Sequence, residues 1–247
     1  MGPILQVNAL FGGYLPNKPV LHNLTFSIGQ GEMMGLIGLN GAGKSTTIKN
    51  ILGLLQPQKG SIRINGLTLA ENPLPYRATY AYVPESPELY EELTIREHLE
   101  LTALAYGLSK ADYEARSRYL LEQFQMKDKL NSFASHLSKG MKQKVMIMNA
   151  FLIEPSLYII DEPFLGLDPL AIRSLLDLMV QMKKKGASFL ISSHILSTIE
   201  KYCDAYVVLH KGHMVAQGDL VELRSQTALP QASLDDIFYK LVQGDLA

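Results

Sequence analysis

Residues 33–45 read Met33-Met34-Gly35-Leu36-Ile37-Gly38-Leu39-Asn40-Gly41-Ala42-Gly43-Lys44-Ser45. The first five are an apolar run of the length of a buried strand, and Gly38 to Ser45 has the spacing Gly-x4-Gly-Lys-Ser. Residues 45–55 then read as a helix, with Ile48, Ile51, Leu52 and Leu55 on one face. Strand, glycine-rich turn and helix in that order aim several backbone N–H groups and the helix dipole at one point, which suits an anion. Gly38, Gly41 and Gly43 permit the backbone conformations and the close approach that phosphate needs. Lys44 can reach the β- and γ-phosphates of a nucleotide, and the Ser45 hydroxyl can hold Mg²⁺. Asn40, Ala42 and Thr46 join the nucleotide-binding candidates by position. By chance alone this string occurs in roughly 1 of 100 chains of this length. The strand before it and the helix after it make it a phosphate-binding loop, or Walker A motif.

The 247 residues are 47% hydrophobic, enough for one substantial core with a subdomain. Net charge is −1, so no basic excess points to a nucleic-acid partner, and none is expected. Cys203 is the single cysteine, which excludes an intrachain disulfide and fits a reducing cytosol. No stretch approaches the roughly 18–20 uninterrupted apolar residues of a membrane span. The N-terminal residues lack the basic and apolar regions of a signal peptide, and Gln6 stands where a myristoylation motif needs Ser or Thr. No repeat is visible, so one nucleotide-binding unit is expected.

Along the chain, 4–10 and 19–28 alternate as strands around a turn at Pro16-Asn17-Lys18. Further strands are expected at 61–66, which ends in a turn, and at 79–83, stopped by Pro84. From about 94 to 154 the period becomes helical. Thr94-Ile95-Arg96-Glu97 is a capping box, Ser109 to Asp112 repeats the signal for a helix to about Phe124, and Ser138 can cap a third helix to Ile153. Strands return at 157–160, 188–191 and 206–209, with helix 169–184 between the first two and a hairpin turn at Lys211-Gly212. An α/β nucleotide-binding core of 1–84 plus 155–216 is therefore expected, interrupted by helical residues 85–154 and followed by a helical tail, 217–247.

Leu157-Tyr158-Ile159-Ile160-Asp161-Glu162 is an apolar strand ending in two carboxylates, as a Walker B strand does. Asp161 would fix Mg²⁺ and Glu162 would orient or deprotonate an attacking water. Asp-Glu-Pro is also an ordinary way to leave a strand. Beside a Walker A loop the catalytic reading gains weight, because parallel sheets bind ligands at strand C-termini.

The order of motifs resembles the ATPase subunits of ABC transporters over nearly the whole chain. Leu137-Ser138-Lys139-Gly140-Met141 stands where that family has its signature motif, and Gly166-Leu167-Asp168-Pro169 where it has its D-loop. His194, after Ser192-Ser193, matches the switch histidine. Tyr14 matches the aromatic that stacks on adenine, with Phe11 as the alternative. Glu85, after Tyr82-Val83-Pro84, occupies the Q-loop position. Ser138 also reads as a plain helix N-cap, and Asp168 as the cap of the helix beginning at Pro169; both roles are compatible with the motif. His22, His98, His136, His210 and His213 match no motif and read as structural.

The resemblance implies a P-loop NTPase (RecA-like) core with an N-terminal antiparallel β subdomain and an inserted α-helical subdomain carrying the signature. It implies ATP and Mg²⁺, with catalytic roles for Lys44, Glu162 and His194, metal contacts from Ser45, Glu85 and Asp161, and nucleotide contacts from Ser138, Gly140 and Asp168 across a dimer. Two subunits, read as identical, would pack head to tail with ATP between Lys44 of one and Ser138 of the other. A separate polytopic membrane subunit would hold the pair at the cytoplasmic face of the membrane. Lys139 and Met141 replace a Gly and the Gln of the common signature, and Glu85 replaces the usual Gln. These departures, with the tail Ser233-Leu234-Asp235-Asp236-Ile237-Phe238, resemble the Ecs-type exporter ATPases of Gram-positive bacteria. An importer ATPase, or a soluble ABC ATPase acting on ribosomes or DNA, is the competing reading. The long inserts and basic extensions of the soluble class are not seen here.

Overall fold

The computed structural model describes residues 2–243. Its centre is a six-stranded sheet built from β3 (Met33–Gly38), β5 (Tyr80–Val83), β6 (Leu157–Asp161), β7 (Ser188–Ser192), β8 (Ala205–His210) and β9 (His213–Gly218). The order is β5-β6-β7-β3-β8-β9, parallel except for β9, which pairs antiparallel with β8. A second sheet of three antiparallel strands has the order β2-β1-β4, from β1 (Leu5–Gly12), β2 (Leu21–Ile28) and β4 (Lys59–Ile64).

Every residue of β3, β6 and β7 is buried, which is why these strands read as continuous apolar runs. Side chains alternate faces along a strand, so each run splits between two cores. Met33, Ile37, Tyr158, Ile160, Phe189 and Ile191 join the core beneath the helices. Met34, Leu36, Leu157, Ile159 and Leu190 join the core shared with β1, β2 and β4. On the helical side, Phe151, Tyr158 and Phe189 stack in sequence with centroids 4.6 and 4.7 Å apart. Gly35 faces that side too, where a Cβ would come within 2.7 Å of Ile199.

The helical segment holds α3 (Ile95–Ala105), α4 (Lys110–Gln123) and α5 (Lys139–Leu152). Thr94 and Glu97 form the expected capping box. Ser109 caps α4 by accepting from the Asp112 N–H, and Ser138 caps α5 by accepting from the Met141 N–H. Helix α6 (Pro169–Lys184) has the expected bounds, with Asp168 as its cap. The tail contains α8 (Leu220–Thr227) and α9 (Leu234–Gln243).

Three local features depart from expectation. Helix α1 spans Lys44–Leu52, not 45–55: Gly53 adopts φ +76° and its N–H bonds back to the Asn50 carbonyl, which ends the helix before Leu55. The sequence signals missed α2 (Pro73–Ala78) and α7 (Leu196–Tyr202), which are six and seven residues long, too short to display a period.

Candidate functional site

Four adjacent parallel strands end at one edge and deliver the site. From β3 comes the loop 38–43, from β5 Pro84 and Glu85, from β6 Asp161 and Glu162, and from β7 Ser192 to His194. A cleft of about 760 Å³ opens there. Tyr14 and Val20 line one part of it, the loop and Lys44, Ser45 and Thr46 its floor, and Glu85, Glu162 and His194 its wall.

The loop bends as its glycines allow, with φ of +79° at Gly41 and +110° at Gly43. Gly38 has a steric reason as well, since a Cβ would lie 2.6 Å from the Leu209 carbonyl. Ala42 lies behind the loop. It is buried, its N–H donates to the Leu39 carbonyl at 3.0 Å, and its own carbonyl accepts from Gly212 at 3.0 Å. Lys44 is 7% exposed and its ammonium donates to the Gly38 carbonyl at 2.8 Å, which curls the side chain back over the loop.

Glu162 is the hub. Its Oε1 lies 3.8 Å from Lys44 Nζ, while Oε2 accepts from His194 Nδ1 at 2.7 Å and from the His194 N–H at 3.1 Å. A carboxylate can only accept here, so Nδ1 carries the proton and Nε2 is left as the free face of the imidazole. The backbone of Glu162 sits at φ +46°, a conformation that costs a non-glycine residue about 1–3 kcal/mol. Its N–H donates to the Ser192 carbonyl at 3.1 Å, so β7 holds it in that bend.

Asp161 is 4% exposed and accepts a hydrogen bond from the Ser192 hydroxyl, and the Ser45 hydroxyl also favours its charged form. Burial pushes its carboxyl above the usual range, opposed by the Ser192 bond, and the charges of Glu85 and Glu162 push the same way as burial. A buried carboxylate beside two more carboxylates is a site for a cation. No group of three or more His, Cys, Asp or Glu among the described residues is arranged to hold a metal unaided. Mg²⁺ binds in this way, through one or two protein ligands with substrate phosphates and water, so Ser45 and Asp161 fit it.

Tyr14 is exposed at the cleft, with the Lys49 ammonium 5.3 Å from its ring centroid and 3.3 Å from its hydroxyl. Phe11, the alternative aromatic, instead meets His22 edge-on and Lys59, and does not line the cleft.

Ser138, Gly140 and Asp168 lie outside the cleft. Ser138 is exposed at the start of α5. A Cβ at Gly140 would sit 2.5 Å from the Gly166 carbonyl, so glycine is needed there within the chain. Asp168 accepts from the Ala171 N–H at 2.9 Å and pairs with Lys144 at 2.7 Å. Lys144 is the main reason its carboxyl stays below the ordinary range. Lys139 is exposed, whereas Met141 packs against the helical core.

Sequence reasoning missed Ser192, which secures both Asp161 and the Glu162 backbone; the doublet Ser192-Ser193 beside His194 was its only trace. It also missed Phe238 and Leu196, which line the cleft from α9 and α7.

A family model described as ABC transporter matches residues 21–165, more than half of the chain. The protein belongs to the ABC transporter family. It is 58% identical over 242 residues to the ABC-type transporter ATP-binding protein EcsA of Bacillus subtilis, covering 98% of each chain. It is 35% identical to the Nod factor export ATP-binding protein I of Rhizobium meliloti, over 82% of this chain and 60% of that one. A solved ATP-binding subunit of an ABC transporter superposes with a TM-score of 0.94 at 57% identity, covering 96% of this chain and 99% of that one. The chain is thus an Ecs-type ATP-binding subunit of an ABC transporter, an ATPase whose hydrolysis is coupled to transport. It binds ATP. Among the described residues no helix is long and apolar enough to cross a membrane.

Proposed function

We propose that this subunit powers an exporter by closing head to tail on a second, identical copy, with ATP and Mg²⁺ between them, at the cytoplasmic face of a membrane. The observation that carries this reading is a separation. Lys44, Glu162 and His194 share one cleft, while Ser138, Gly140 and Asp168 present a second face outside it. A head-to-tail pair would bring the second face of one copy onto the cleft of the other. The Nod factor export relative and the variant signature favour export over import.

Within the cleft, Tyr14 would stack on adenine and the loop N–H groups would hold the phosphates. Ser45 and Asp161 would hold Mg²⁺, with Glu85 near, and the ion would neutralise charge on the β- and γ-oxygens. Glu162 would orient the attacking water and take its proton, steadied by the His194 Nδ1–H; Lys44 would stabilise the charge that develops on the γ-phosphate. In this reading residues 1–84 and 155–216 bind nucleotide, 85–154 carry the signature and 217–247 form the tail. Loss of the γ-phosphate would release the pair, and a separate polytopic membrane subunit would take up the motion.

The test is purification from mildly solubilised membranes. A polytopic protein recovered in stoichiometric amount, with two copies of this chain, is expected. Recovery of ribosomes or DNA-bound proteins instead would overturn the reading.

A further inference from the structure

Three consecutive residues just after the signature bond to three different segments. Lys142 pairs with Glu91 at 2.7 Å, in the segment that follows Glu85. Gln143 donates from Nε2 to the Pro84 carbonyl at 3.2 Å, one residue before Glu85. Lys144 pairs with Asp168 at 2.7 Å, at the start of α6. A helix turns about 100° per residue, so three successive side chains reach in three directions.

Gln143 differs from its neighbours. It is 1% exposed. The Pro84 carbonyl can only accept, so the amide nitrogen must face it, and this fixes Oε1 on the other side. Oε1 is buried with no hydrogen-bond partner. An apolar side chain of similar volume would remove that unsatisfied acceptor but would also take the donor from the half-buried Pro84 carbonyl, so the two effects roughly offset. Stability therefore does not explain a glutamine at 143. Its single bond does something else: it ties α5, whose first turn presents Ser138 and Gly140, to the strand end that carries Glu85 into the cleft.

We infer that Gln143 is a positioning residue that links this subunit's own nucleotide cleft, through Pro84–Glu85, to the signature end of α5. The inference rests on the head-to-tail reading, because the signature acts on the other copy's nucleotide. Nucleotide contacts at Glu85 then set the placement of Ser138, so that each subunit offers a competent signature only when its own cleft is engaged. Gln143 touches no substrate itself.

The test uses the full chain carrying Glu162→Gln, with MgATP as the probe, and measures the ATP concentration giving half-maximal dimer. A fluorescent ATP analogue reports monomer affinity and thermal melting reports stability. Adding Gln143→Met should leave analogue affinity unchanged, leave the melting temperature little changed, and shift the dimer midpoint about 5-fold upward, the scale of one lost hydrogen bond. An unchanged midpoint overturns the inference. So does a midpoint that moves together with lower stability and weaker analogue binding, since that is a packing defect. Ser138→Arg in the same background separates the two readings. It should abolish the dimer; dimerisation as in the parent would overturn the head-to-tail reading. Loss with Ser138→Arg but not with Gln143→Met would sink only the role of Gln143.

Discussion

The cleft and the signature face are built from opposite materials. The cleft is made at the ends of four parallel strands, and three of its charged residues, Lys44, Asp161 and Glu162, are each under 9% exposed. Each is held by bonds within the chain, to Gly38, Ser192 and His194. The signature face is made at the starts of two helices, where Ser138 and Asp168 cap their own first turns and remain open to solvent. A buried charged site holds its geometry in one chain, because the surrounding sheet leaves no alternative. Helix N-termini offer unpaired donors outward and need a second surface to become a site.

The largest effect expected is in the cleft. Glu162→Gln removes the proton acceptor and should slow phosphate release by about 10²–10⁴-fold while ATP stays bound, measured as single-turnover phosphate release. Fast release by this variant would erase the contrast with the signature face. Lys44→Ala should cost about 10²–10³-fold in turnover, the loss of one charge-stabilising donor, with retained wild-type turnover refuting its role. If the signature face is half a site, Ser138→Arg should abolish cooperative turnover yet leave monomer binding of an ATP analogue intact; weakened monomer binding would mean that Ser138 belongs to its own cleft. Tyr14→Ala should weaken ATP binding about 10-fold, the scale of one base–aromatic stack, seen by titration calorimetry. An unchanged affinity would return Phe11 to consideration. The smallest effect is structural: Asp168→Ala removes the α6 cap and the Lys144 pair and should lower stability by about 1 kcal/mol, read from denaturant unfolding.

Much of this was legible before folding. Helix α6 could be bounded because Asp168 caps it, Pro169 suits its first position and sixteen residues show a clear period. Strands β3, β6 and β7 could be placed because burial on both faces demands unbroken apolar runs. Helices α2 and α7 could not, because two turns carry no period. The end of α1 was misplaced because the apolar spacing continues to Leu55, while the left-handed Gly53 ends the helix at Leu52. The reason for glycine at 140 was also out of reach, since it lies in the Gly166 carbonyl twenty-six residues downstream.

The sequence by itself singled out the candidate site residues and the order in which they occur, because the phosphate loop, the Asp-Glu strand end and the helix caps are local devices set by neighbours a few positions apart. Only the tertiary structure decided which of them meet. It paired Glu162 with both Lys44 and His194, made Ser192 the support of two acidic residues, and tied α5 to Pro84, Glu91 and Asp168. Those contacts join residues far apart in the chain, and their geometry comes from strand order and helix packing, which no local pattern encodes.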